Sequence, residues 1–154
     1  MRKRLIYHIF IFSGFFLYLN SCTPESCIEE TNAYLKATFY SFDTRKIVPP
    51  DKLTIYGIGR DTSKIYDNDA KVQPAMIPLN PSSDTSTFII EINSVSDTLK
   101  LIYTSFPHLI SKECGYTFYH KLDTLFTTNN AIDSIYTGKK DITTINEENI
   151  RIYY

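Results

Sequence analysis

Along most of the chain, apolar and polar residues alternate with a period of two, the signature of strands half buried on one face. From Ala33 to Tyr40, Leu35, Ala37 and Phe39 face one way, with Lys36 and Thr38 opposite. Lys52 to Gly59 predicts a second strand, whose two glycines suggest a bulge or a close backbone approach. Ala75 to Leu79 is a short apolar run hemmed in by Pro74, Pro78 and Pro81, which predicts an edge strand. Phe88, Ile90 and Ile92 alternate with Ile89, Glu91 and Asn93, and Leu99, Leu101 and Tyr103 alternate with Lys100 and Thr104. Asn93 to Asp97 between them predicts a hairpin loop, and Phe106-Pro107-His108 the end of the second strand. Cys114 to Leu122 places Cys114, Tyr116, Phe118, His120 and Leu122 on one face; Ala131 to Thr137 and Asn149 to Tyr154 complete the set.

Turn-rich breaks separate these runs, notably Asp43 to Asp51 with Pro49-Pro50 and the polar excursion Arg60 to Lys71. No stretch carries a 3.6-residue period of helical length. The pattern predicts an all-β fold, an antiparallel β-sandwich of about seven to eight strands, with a small up-and-down β-barrel as the alternative. Asp-Thr pairs at Asp43, Asp61, Asp84, Asp97 and Asp123 fit turn chemistry, since an Asp side chain can bond its own backbone two residues on.

The first residues follow a different rule. Arg2, Lys3 and Arg4 precede an apolar run from Leu5 to Leu19, then Asn20, Ser21 and Cys22. A basic start, an apolar stretch and a small residue before a cut describe a secretory signal peptide. Fifteen helical residues reach only ~22 Å, short of the ~30 Å hydrocarbon core, so a permanent span is the weaker reading. Leu19-Asn20-Ser21-Cys22 resembles the bacterial lipobox, which implies cleavage before Cys22 and acylation, palmitate included, of that cysteine. Several acyl chains anchor stably where one does not. The expected organisation is a signal peptide at 1–21, a tether at 22–32 and one domain at 33–154.

Composition sharpens this reading. The 154 residues are 43% hydrophobic and 21% charged, room for one folded domain. Twelve Tyr and ten Phe with only five Gly agree with a β-rich core. Sixteen Lys and Arg stand against 17 Asp and Glu; loss of residues 1–21 removes three basic side chains and leaves a net charge of −4. Neither nucleic acid nor an anionic bilayer is an electrostatic partner for such a chain. Of three cysteines, acylation of Cys22 leaves Cys27 and Cys114, which an exported compartment allows to form one disulfide; free or metal-binding thiols are the alternative.

Candidate chemistry is sparse. His108, Cys114 and His120, with Glu113, include metal-ligating types, but Cys114 and His120 on one extended strand are ~20 Å apart, too far to share a metal or form a nucleophile pair. Asp67-Asn68-Asp69 with Asp61 could offer oxygen ligands to Ca²⁺, yet lacks the glycine and terminal glutamate of an EF-hand and reads as a solvated turn. Gly57-Ile58-Gly59 has no third glycine and no following helix, so it is no dinucleotide loop. No catalytic residue, metal or cofactor is expected. Tyr34, Tyr40, Tyr56, Tyr136 and Tyr153 could form a sugar-binding platform, although tyrosine is also an ordinary strand residue.

Several segments together resemble a known group. They are Cys22-x4-Cys27, Leu53 to Gly59, Ile77 to Pro81, Asp97-Thr98-Leu99, Tyr103, Pro107-His108, Glu113-Cys114-Gly115, Asn130 to Ile135 and Asn146 to Ile150. On them the mature chain resembles short Bacteroidetes lipoproteins assigned to a domain of unknown function. The resemblance implies an outer-membrane destination and carries no activity or site; one acid, Glu25, follows the lipobox, so the periplasmic side is favoured over the cell surface. The expected function is a non-catalytic envelope accessory or protein-interaction module, held to the membrane at Cys22 and binding another envelope protein. The alternative is a glycan- or small-ligand-binding lipoprotein.

Overall fold

The computed structural model describes residues 27–154; the expected signal peptide at 1–21 and the expected acylation site Cys22 lie outside the described residues. Ten strands form, and no helix occurs among the described residues: β1 Tyr34–Tyr40, β2 Leu53–Gly57, β3 Tyr66–Asp69, β4 Ala75–Pro78, β5 Thr85–Ile92, β6 Val95–Ser111, β7 Gly115–Thr127, β8 Ser134–Thr137, β9 Asp141–Ile142 and β10 Ile150–Tyr153. They make a four-stranded sheet, β4-β1-β10-β8, and a six-stranded sheet, β3-β2-β5-β6-β7-β9. The alternation sets the core. Leu35, Ala37, Phe39, Ile150 and Ile152 from the first sheet meet Leu53, Ile55, Ile90, Ile92, Leu99, Leu101 and Leu122 from the second, all buried. The all-β class and the sandwich architecture follow the periodicity.

Four details differ from the sequence expectation. The fold is not wholly antiparallel, because β1 runs parallel to β10 with Phe39 opposite Ile152 and Tyr40 opposite Tyr153. Parallel neighbours need a long crossover, and here nearly the whole domain supplies it. The β5–β6 turn is only Asn93-Ser94, both at positive φ, so Asp97 lies inside a strand. The polar excursion contains β3, which puts Asp67, Asn68 and Asp69 on a sheet edge. Finally, β6 does not end at Pro107. It pairs with β7 as far as Ser111, while β5 begins opposite Ile102, so Pro107 sits on an edge strand where its missing N–H costs no ladder bond.

The result is a two-stranded arm projecting past the sandwich. Its tip is stapled by the Cys27–Cys114 disulfide, with Cα atoms 4.7 Å apart and 87 residues between them in sequence. The Thr117 hydroxyl donates to the Thr31 carbonyl at 2.6 Å, which lays the segment before β1 along the arm. At the edge expected for the proline-flanked run, β4 is indeed outermost, and its Met76 amide donates to the Tyr66 hydroxyl at 2.9 Å.

Candidate interaction face

The outer face of the four-stranded sheet gathers three of the five candidate tyrosines. Tyr40 ends β1, Tyr153 lies beside it on β10, and Tyr136 pairs with Arg151 across β10 and β8. Period two sends all of them outward, because Phe39, Ile152 and Ile135 between them point into or against the core. The Tyr40 and Tyr153 rings are 5.4 Å apart, tilted by 37°. Tyr34 lies on the same strand as Tyr40 but six residues away, and Tyr56 belongs to the other sheet.

Two arginines interleave with these rings. The Arg45 guanidinium carbon lies 4.5 Å from the Phe42 ring centre and 4.8 Å from that of Tyr153. Arg151 lies 5.5 Å from both Tyr40 and Tyr136. Such contacts are worth ~0.5–1 kcal/mol each at exposed sites. Arg45 is delivered by the turn after β1, where its own amide donates to Ser41 O at 3.0 Å and its φ is 57°. A left-handed non-glycine residue costs roughly 1 kcal/mol, and the turn holds it there. A shallow cleft of about 420 Å³ opens between Arg45, Ser134, Tyr136, Arg151 and Tyr153.

Glu148 anchors one side of this face. It accepts from Arg151 Nε at 2.5 Å and from the Tyr40 hydroxyl at 3.1 Å. Burial pushes its carboxyl up, but hydrogen bonds from Arg151, Thr38 and Tyr40 outweigh that and hold it below the usual carboxylate range. The same pairing raises Arg151 further, so it is charged at every physiological pH. Burial, then the bond to Glu148, raises the Tyr40 phenol, which stays protonated and donating. Among the described residues Arg45 has no acidic side chain within 4.0 Å. Arg45 therefore brings a cation without an ion-pair partner to this face, and Phe42, Ile47 and Val48 of the same loop are exposed.

The other candidates fall apart in space. Cys114 is in the disulfide, so its sulfur is neither thiolate nor ligand. His108 stacks on Tyr119 with ring centres 4.1 Å apart, whereas His120 is buried, its Nδ1 2.8 Å from Ser105 Oγ. Burial pushes the His120 pKa down. Asp67 is 2.6 Å from Lys64, and its amide donates to Asp69 Oδ2 at 3.2 Å, so this stretch satisfies itself. Gly59 has φ 76° in the turn after β2, while the register shift in β2 lies between Leu53 and Ile55, away from the glycines. A larger cleft of about 500 Å³ beside Gly57, Arg60, Lys64 and Asn80 has no carboxylate, histidine or cysteine in its lining.

Sequence reasoning left the roles of two residues unassigned. Arg45 carried no motif, and Asp97 passed for a turn residue. Asp97 is buried and accepts from the Thr128 hydroxyl at 2.6 Å and from the amides of Ala131 at 2.7 Å, Asn130 at 2.9 Å and Ile132 at 2.9 Å. Burial raises its carboxyl, and these four donors more than reverse the effect, leaving it below its ordinary value. It clasps the loop that leads into β8, and so positions Ser134 and Tyr136.

Residues 52–154, two-thirds of the chain, match a family of unknown function (DUF6452), and the chain belongs to that family. The matched span runs from β2 through β10 and includes Cys114, Tyr136, Arg151 and Tyr153. No curated protein and no solved structure matches the chain.

Proposed function

We propose that this member of the DUF6452 family is a non-catalytic lipoprotein of the outer membrane, anchored at Cys22 on the periplasmic side, whose tyrosine–arginine face binds an acidic segment of another envelope protein. The observation that carries the reading is the stacking of Arg45 and Arg151 on Phe42, Tyr153, Tyr40 and Tyr136. A sugar platform needs free aromatic faces, and each of these rings already carries a guanidinium on one face. What remains is a shallow cleft lined by Tyr and Arg, residue types enriched at protein interfaces. Arg45 brings a charge that a partner carboxylate can pair bidentately. The non-catalytic reading is supported by the state of the reactive groups: Cys114 is oxidised, His120 buried and Asp97 engaged by three amides and a hydroxyl. Export and lipidation are supported by the basic start, the apolar run and the Leu19-Asn20-Ser21-Cys22 sequence, and the Bacteroidetes lipoprotein likeness by the segments that carry it.

The test is cross-linking of the tagged protein in its native envelope, with Arg45→Gly and Ser134→Glu as variants. Glycine suits φ 57° and relieves strain, so loss of the cation–π contacts changes stability by less than about 1 kcal/mol. One stoichiometric protein is expected with the wild type, with at least about tenfold weaker capture by either variant. Capture unaffected by both variants would sink the assignment of this face. Release of the partner by neutral oligosaccharides would instead support the glycan reading.

A further inference from the structure

Among the described residues, the arm presents exposed apolar side chains. On the side that continues the core, the cross-strand pairs run Tyr103–Leu122, Ser105–His120, Pro107–Phe118 and Leu109–Tyr116. The first pair is buried, yet Phe118 is 45% exposed, Leu109 47% and Tyr116 75%. On the opposite side Phe106 is also exposed and packs edge-on against Tyr119. A sheet face this apolar at an open tip needs a cover.

The covalent chain indicates which cover. Cys114 at the tip is bonded to Cys27, and Cys22 lies five residues before Cys27. Even fully extended, five residues span only about 17 Å, so acyl chains on Cys22 hold the tip within that distance of the bilayer. Tyr and Phe are well suited to the headgroup boundary, where rings with one wet end sit at depth. We infer that the tip of the β6–β7 arm is a second membrane contact, with Leu109, Tyr116 and Phe118 resting in the lipid interface beside the anchor. This inference rests on the proposed acylation of Cys22.

The contact also orients the domain. β1 starts from the segment lying along the arm and ends at Tyr40. Asp97, near the root of β6, clasps the loop entering β8 at Ser134. The tyrosine–arginine face therefore lies toward the end of the sandwich opposite the tip. Two attachments, one covalent and one interfacial, fix the orientation of the domain and point the face away from the bilayer.

The chain contains no tryptophan, so single Tyr116→Trp, Phe118→Trp and Val95→Trp variants each report one place. The acylated full-length protein is reconstituted in phosphatidylcholine vesicles with and without bromine on the acyl chains. Indoles from Tyr116→Trp and Phe118→Trp are expected to emit further to the blue and to lose at least half their intensity to bromolipid. Val95→Trp, at the first position of β6 and the end of that strand away from the tip, is expected to show neither change. Unquenched emission from both arm variants in vesicle-bound protein overturns the inference. Protection of those indoles from bromolipid and aqueous iodide alike also overturns it, in favour of a protein cover. Intact mass reads the anchor separately. If Cys22 carries no acyl chains the lipoprotein reading fails, and quenching of the unacylated chain on added vesicles still decides the arm.

Discussion

Asp97 illustrates how much one side chain can organise. Its two oxygens take three backbone amides and a hydroxyl from residues 31 to 35 positions away. Asp97→Ala would strand those donors in a buried site, at a cost of about 3 kcal/mol or more. Chemical denaturation is expected to show that loss, and a variant within about 0.5 kcal/mol of wild type would refute the clasp. The residue type and its neighbours Thr98 and Leu99 were visible in the sequence, but the role was not. An Asp beside a turn and an Asp gripping a distant loop read alike until the loop is brought to it. Arg45 was hidden for a related reason: its partners Phe42 and Tyr153 are near and far in sequence, and only the parallel pairing unites them.

Among the elements, the arm is the one whose extent surprises. Alternation revealed both strands, and Tyr116, Phe118, His120 and Leu122 do share a face. A proline read as a terminator nevertheless turned out to lie within a 17-residue strand, because β5 had already ended and no neighbour needed its N–H. Such an arm gains little from the core and relies on its staple. Linking Cys27 to Cys114 removes unfolded-state freedom worth up to ~4 kcal/mol in the chain-entropy model. A Cys27→Ser, Cys114→Ser double variant is expected to melt lower, with faster amide exchange confined first to Ser105–Ser111 and Gly115–Phe118. Uniform acceleration across both sheets would show instead that the arm and sandwich unfold as one unit.

For the molecule as a whole, pH gathers the buried charges into one observable. Folded His120 has a lowered pKa, so the unfolded chain takes up a proton first as pH drops below about 6.5. Asp97 and Glu148 are also depressed, so their stabilisation is complete above about pH 4 and is lost as pH falls through their folded values. Stability is therefore expected to be flat near neutrality, to decline below about pH 6.5 and to fall again below about pH 4. Urea midpoints from pH 8 to pH 3 check this, and His120→Gln should remove the upper step alone. A single step near pH 4 in the wild type would contradict the cost assigned to burying neutral His120.

The all-β class and the positions of most strands were already determined by the sequence, which also offered Cys27 and Cys114 as a pair. Alternation is a local property, carried by each strand's own residues, whereas the Cys27–Cys114 pairing followed only with Cys22 set aside for acylation. The tertiary structure alone decided that β1 and β10 lie side by side and parallel, that three scattered tyrosines share a face, and that two arginines fill it. Those facts depend on which strands become neighbours and in what register. That choice is made by burial of the whole core at once, a sum over residues more than a hundred positions apart that no window along the chain contains.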